Sequence, residues 1–401
     1  MNRRFQLFTI LLIPSILIAA CNIPAANSGT QPASNDQVAT VVAMTLQAIT
    51  AEPETPSDSL LPHTLYFLGT DASGLTQVFR LERDGKTQKQ VTSEGVNVGN
   101  YGVSPVDGSV AYVVNNQLLL INADGSNRRL LVDGGAVDEN NPFLNNITNP
   151  VFSPNGQTLA YGYKGLNLYL LSSGASNLVI ENQIDDSNSS FLFPTELYWP
   201  ERYSPDGSKL LITLGYYEGA SAAIYDPASG GLVRLSGAEG ALICCDAMEW
   251  SADGTSIYSA SPAAGMFNSG LWRVDPSSGA VTTLFTSNFD SSSFLYADEP
   301  YLAPDGQLYF FFVESTNELN SRTPLQLVRA APDGVTGRTA LRPETFELMN
   351  EALWTPDASF VVVAFANTLD TYQGGRAEIV YLDGRPNVVL AQFAQQIKWG
   401  P

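Results

Sequence analysis

The chain has 401 residues, of which only 15% are charged while 33 are Gly and 24 are Pro. That is the composition of many short strands joined by turns, and it excludes an array of long surface helices. Forty acidic residues stand against 20 basic ones, a formal net charge of −20, so nucleic acid and anionic lipid headgroups are excluded as partners by repulsion.

The first twenty residues read as a secretory signal. Arg3 and Arg4 precede an apolar run from Phe8 to Ile18, followed by Ala19, Ala20 and Cys21. Pro14 and Ser15 interrupt the run, which is too short for a comfortable spanning helix. "IAAC" resembles the lipobox of bacterial lipoproteins, which implies cleavage before Cys21 and acylation of that residue. A plain signal with an incidental cysteine is the other reading. The resemblance implies an extracytoplasmic protein held through its lipid anchor to the bacterial cell membrane or outer membrane, since each buried methylene contributes roughly 0.8 kcal/mol. Cleavage removes two arginines and no acids, leaving 18 basic residues against 40 acidic ones and a net charge of −22.

Residues 21–61, rich in Ala, Ser, Thr and Pro, read as a flexible stalk. Within them, residues 35–50 can form a short helix capped by Ser34 or Asn35, with no large aromatic to bury.

From Pro62 to Pro401 one phrase recurs. "SPVDGSVAYVV" starts at Ser104, "SPNGQTLAYGY" at Ser153 and "SPDGSKLLITL" at Ser204; "SADGTSIYSA" starts at Ser251, "APDGQLYFFFV" at Ala303 and "TPDASFVVVAF" at Thr355. The steps between starts are 49, 51, 47, 52 and 52 residues. Pro presets φ at the second turn position, Asp bonds to its own nearby backbone, and Gly takes the positive φ that ends the turn. A second series of turns ends at Gly85, Gly125, Gly174, Gly230, Gly279, Gly334 and Gly384. It has seven members, one more than the first.

Each unit therefore reads as four antiparallel strands. Around Ser204 these are "LYWPERY", "SKLLITLG", "SAAIYD" and "LVRLS". The surplus lies at the start, where "HTLYFLG", "TQVFRLERDG" and "KQVTS" lack a first strand. "FAQQIKWGP" at the far end is a first strand with nothing after it; its Trp399 matches Trp354, 45 residues earlier. The spacing predicts an all-β β-propeller of seven four-stranded blades, closed by the N-terminal strands pairing with the C-terminal one. Six blades is the alternative if one degenerate unit forms no sheet.

"LYFLGTDASGLTQVFRLERDGKTQKQVTS" and the "SPDG" turns resemble the WD40-like repeats of the TolB propeller, over Pro62 to Pro401. The same repeats precede some serine peptidase domains. The resemblance implies a docking or scaffold module, often at the bacterial envelope.

In such a fold the first-to-second and third-to-fourth turns share one face. Here they are tight, so that face is expected to be plain. The long loops fall on the opposite face, and loops of that length serve binding. They carry acids and aromatics together: Asp138, Glu139 and Phe143 in "DGGAVDENNPFLNNI", and Asp185, Asp186, Phe191 and Phe193 in "NQIDDSNSSFLFPTE". Tyr217 follows in "YYEGA", Asp246 in "GAEGALICCD", Phe267 in "SPAAGMFNS" and Tyr372 in "ANTLDTYQGG"; Asp290, Tyr296, Asp298 and Glu299 lie in "SNFDSSSFLYADE". Aromatic anchors amid acids suit a protein, peptide or glycan partner, a cationic one being among the options. The alternative is that the aromatics tuck under their own loops.

Catalytic signals are close to absent. His63 is the one histidine; its place at the edge of the first strand speaks against a His-based triad, and its being single rules out multi-His metal sites. No G-x-S-x-G elbow and no D-x-D-x-D-G calcium loop occurs. No cofactor or metal is expected, and the protein is read as noncatalytic. A carbohydrate-active enzyme using two loop carboxylates is the alternative, and a purely structural envelope component is a third option. For Cys244 and Cys245, neighbouring α-carbons ~3.8 Å apart lie below the usual disulfide range of ~4.4 to 6.8 Å, so two buried thiols are expected rather than a strained bridge.

Overall fold

The structure is a computed structural model that describes residues 59–187, 192–245, 248–263, 266–288, 290–316, 322 and 324–401. Residues 58–401 form one compact unit. The signal segment, Cys21, the stalk as far as residue 58 and its helix lie outside the described residues, as do Phe191 and Asp246.

The recurring turn is built by a buried hydroxyl. Ser204 Oγ donates to Asp206 Oδ1 at 2.6 Å and accepts from the Lys209 amide at 3.0 Å. Asp206 Oδ1 also receives the Ser208 amide, and Gly207, at φ +74°, donates back to the Ser204 carbonyl. Ser251 repeats the arrangement with Asp253 and the Ser256 amide. A Ser, Asp and Gly at this spacing thus close the turn from inside. At Ala303 the turn is one residue shorter, closing on the Gln307 carbonyl.

Seven four-stranded blades follow. Blade two comprises Asn100–Val103, Val110–Val114, Gln117–Ile121 and Arg129–Asp133; blade three comprises Thr148–Phe152, Thr158–Gly162, Gly165–Leu170 and Ala175–Glu181. Blade four comprises Phe193–Tyr203, Leu210–Tyr216, Gly219–Tyr225 and Leu232–Arg234; blade five comprises Met248–Trp250, Ile257–Ser261, Ser269–Val274 and Val281–Ser287. Blade six comprises Phe294–Leu302, Leu308–Ser315, Leu325–Ala330 and Thr339–Phe346. Blade seven has Met349–Trp354, Phe360–Phe365 and Gly375–Tyr381, completed by the first part of the 12-residue strand Val388–Trp399.

Blade one closes the ring. The last part of Val388–Trp399 pairs with Leu65–Thr70, with Leu65 opposite Trp399 and Tyr66 opposite Lys398, and Thr76–Leu81 and Gln88–Gln90 complete that sheet. One strand therefore serves two blades.

Strands such as "FVVVAF" read as continuous apolar runs because both their faces are buried, as alternation with period two requires. Phe360 and Val362 pack toward Leu65, Phe67 and Phe79 of blade one, whereas Val361 and Val363 pack toward Tyr296, Phe311 and Leu327 of blade six. Each remaining cluster likewise joins two neighbouring blades, giving seven clusters for seven blades. An open row of seven would have six such junctions, so the ring is closed. Leu61, ahead of the first strand, is fully buried in the cluster that seals it. Among the described residues no helix is long and apolar enough to cross a membrane.

Candidate functional site

The first strands of the blades touch one another around the ring and so line its centre. Several carry a β-bulge just before the turn, breaking the register at Thr148/Val151, Pro200/Arg202, Asp298/Tyr301 and Met349/Glu351. Asn149, Glu299 and Gln396 take positive φ there. A bulge re-aims a side chain that a regular strand would bury.

Neighbouring strands are tied through these bulges. The Glu351 carboxylate accepts the amides of Gln396 at 2.8 Å and Ile397 at 2.9 Å. Asn100 Oδ1 accepts the Asn149 amide at 3.2 Å, and Tyr101 donates to the Gln396 carbonyl at 2.6 Å. Arg202 and Glu249 form an ion pair between blades four and five.

Asp298 and Glu299 sit deep in this ring, though each keeps part of its surface open. Burial pushes the Asp298 carboxyl up to about 7. Burial also pushes Glu299 well above the ordinary carboxylate range; the charges of Asp298, Glu249 and Glu351 add to this, and Arg202 opposes it. The acids Glu249 and Glu351 and the cation Arg202 went unread in the sequence. They stand two or four residues ahead of the recurring turn, a position whose periodic polarity is the signal that could have found them.

A second feature rises from blade four. Its first strand has 11 residues, and only Leu197 onward pairs with the second strand. Phe193 to Glu196 instead pair with Gln183–Asp185, forming a short two-stranded ribbon on the long-loop face. Asp185 lies opposite Phe193, and the Phe193 ring stacks on Tyr217 with centroids 4.5 Å apart and planes 29° apart. Phe193, Tyr217, Asp185 and Asp186 are all exposed. The Ser187 amide, bonded to Asp185, holds that carboxyl below its usual range.

The other sequence candidates are scattered along the same face. Asp138 is half-buried and accepts the amides of Asn140 and Asn141; Glu139 is exposed. Phe143 lies in the short 3-10 turn Pro142–Leu144. Phe267, Asp290 and Tyr372 are exposed, with the Arg322 guanidinium 5.0 Å from the Tyr372 ring centre. Tyr296 departs from expectation: it is fully buried in the core between blades six and seven. The strand of blade six begins at Phe294, earlier than the loop reading allowed, so alternation turns Tyr296 inward.

Two further expectations are overturned. Cys244 and Cys245 are joined by a disulfide, with α-carbons 3.7 Å apart and Cys245 at φ +64°. The positive φ is the backbone adjustment that lets adjacent side chains meet. The face of tight turns is also not plain. A cavity of about 480 Å³ opens there between blades two and three, lined by Ser104, Asp107, Arg129 and Gln157 among others.

On the long-loop face a cavity of about 360 Å³ lies between blades three and four, lined by Phe143, Tyr163, Lys164, Asn182 and Trp199 among others. Among the described residues, no group of three or more His, Cys, Asp or Glu side chains is arranged to hold a metal ion.

The sequence matches no family model and no curated protein. Solved structures do match by shape. A prolyl endopeptidase superposes over 90% of this chain and 56% of its own, with a TM-score of 0.51 at 14% identity. An oligogalacturonate lyase in complex with manganese covers 82% of this chain and 84% of its own, with a TM-score of 0.50 at 11% identity. The chain is a β-propeller. TolB from Acinetobacter baumannii covers 92% of this chain and 73% of its own at 16% identity, with a TM-score of 0.43, and that value adds no weight. At these identities the likeness is one of fold alone, and function has to be argued from the residues.

Proposed function

We propose that this propeller is a noncatalytic, surface-tethered binding module that takes a basic peptide or protein segment on its long-loop face. The observation that carries the reading is the blade-four ribbon. It projects Asp185 and Asp186 beside the stacked, exposed pair of Phe193 and Tyr217. Rigid aromatics with few rotatable bonds give contact area at low entropic cost, and adjacent carboxylates select for positive charge. Tethering through Cys21 would hold the module at a bacterial envelope surface, where its charge discourages contact with anionic lipid.

The test is binding of the mature, anchored protein to membrane-extracted partners and to a basic peptide array. Reversing Asp185 and Asp186 to Lys should abolish capture, and binding to the unaltered protein should weaken as salt rises. Capture indifferent to both changes contradicts the reading.

A second reading, a carbohydrate-active enzyme, draws on the raised Asp298 and Glu299, since a carboxyl kept protonated near neutral pH can serve as a general acid. Hydrolysis of a glycoside panel that is lost in Asp298→Asn supports it; no turnover in the unaltered protein removes it.

A further inference from the structure

The cavity between blades three and four differs in charge from the rest of the chain. Acids outnumber basic residues 40 to 20 overall, yet the described lining holds Lys164 and no Asp or Glu. Lys164 stands on the tight turn between the second and third strands of blade three. Its φ of +57°, followed by Gly165 at +140°, fixes the direction in which it leaves the backbone. The ammonium lies 5.2 Å from the centre of the Tyr163 ring and makes no ion pair among the described residues.

The walls supply two other kinds of group. Trp199 packs over Gly162 and Gly215, where a methyl would come within 3.0 and 2.3 Å of its ring; Tyr163 and Phe143 face the same space. Asn146 and Asn149 also line the cavity, and Thr148 Oγ1 is buried with no hydrogen-bond partner among the described residues. Asn182 is fixed by accepting the Tyr198 amide and donating to the Phe143 carbonyl.

We infer that this cavity binds a sugar ring bearing a carboxylate, a uronic acid unit of a glycan. A pyranose offers apolar C–H faces to aromatic rings and hydroxyls to amides and hydroxyls. Its carboxylate pairs with the ammonium in a charge-assisted bond. The volume, about 360 Å³, falls within the range of small-ligand sites, ~300–1,000 Å³. No lining carboxylate repels the anion. The inference is independent of the ribbon, whose exposed tip takes no part in this cavity.

The probes are a hyaluronan hexasaccharide, which carries glucuronate, and neutral chitohexaose, each titrated into the full chain and followed by calorimetry and Trp fluorescence. The acidic probe should bind at least about tenfold tighter than the neutral one, as a charge-assisted bond predicts. Lys164→Asn keeps a residue that tolerates positive φ, so folding is preserved. It should cost the acidic probe about tenfold and leave the neutral one unchanged, while Lys164→Arg retains binding. Equal affinity for both probes, no effect of Lys164→Asn, or no binding of the acidic probe at about 1 mM, the weak end of the affinity scale, overturns the inference.

Discussion

The indole Nε1 of Trp399 donates a hydrogen bond to the carbonyl of Trp354, 2.8 Å away, and Trp354 Nε1 donates in turn to the carbonyl of Glu299 at 2.9 Å. Three successive first strands, in blades six, seven and one, are thereby tied across their inner ends by the same residue in the same repeat position. Trp399→Phe keeps an aromatic ring at the site but removes the donor and part of the indole packed on the core. It should lower stability by at least about 1 kcal/mol, the share of an ordinary hydrogen bond, seen as a reduced Tm with unchanged circular dichroism.

Ser251 is fully buried and bridges Asp253 to the Ser256 amide. Ser251→Ala leaves that amide without its partner and should cost about 1–2 kcal/mol. Denaturant unfolding should show a lower midpoint at unchanged slope. An equal cost at Ala303→Gly, where no such bond exists, would show that the hydroxyl is not the cause.

Stability should depend on pH in two opposite senses. Asp298 and Glu299 bind their protons more tightly folded than unfolded; the contribution of Asp298 is lost as pH rises from about 4, the unfolded value, toward about 7, and that of Glu299 also declines as pH rises above the ordinary carboxylate range. Turn carboxylates behave inversely. Asp84, held down to about 2 by the side chain and amide of Thr87, contributes above about 4 and loses that contribution as pH falls toward 2. Asp298→Asn should therefore flatten the decline above about pH 4 and raise Tm near neutrality. A wild-type Tm that climbs steadily between pH 4 and 7 contradicts the assignment.

The pairing of Cys244 with Cys245 predicts that neither thiol of the unreduced, denatured mature protein reacts with iodoacetamide, and that both react after reduction. Acylation of Cys21 predicts incorporation of labelled palmitate in a bacterial host, lost in Cys21→Ser. The lipobox resemblance fails if the label persists.

The ring was legible because its turns need particular chemistry. Asp, Gly and a leading Ser recur wherever a first strand hands over to a second, and the unmatched strands at Leu65 and Trp399 announced their own pairing. The bulges were not legible, since Glu299 at positive φ and Glu351 capping two amides depend on neighbouring blades and not on adjacent sequence. For the same reason adjacent sequence does not show that Tyr296 turns inward or that Gln183–Asp185 pairs with the segment at Phe193. The acids and aromatics of the long-loop face could be named, but which of them meet was fixed only by the fold. Phe193 and Tyr217 do meet, 24 residues apart in sequence. The cavity at Lys164 escaped notice because Trp199, Gly162 and Asn182 converge on it from three separate segments.

The most direct measurement is the thermal stability of the protein lacking Ala394–Pro401. Those residues give blade one its inner strand, bury Ala394 and Ile397, and carry the Trp399 bond. Their loss should open the ring, lowering Tm by about 10 °C or more and exposing apolar surface to a fluorescent dye. A truncated protein that melts at the same temperature as the intact one contradicts the closed ring, and with it the proposed use of the long-loop face.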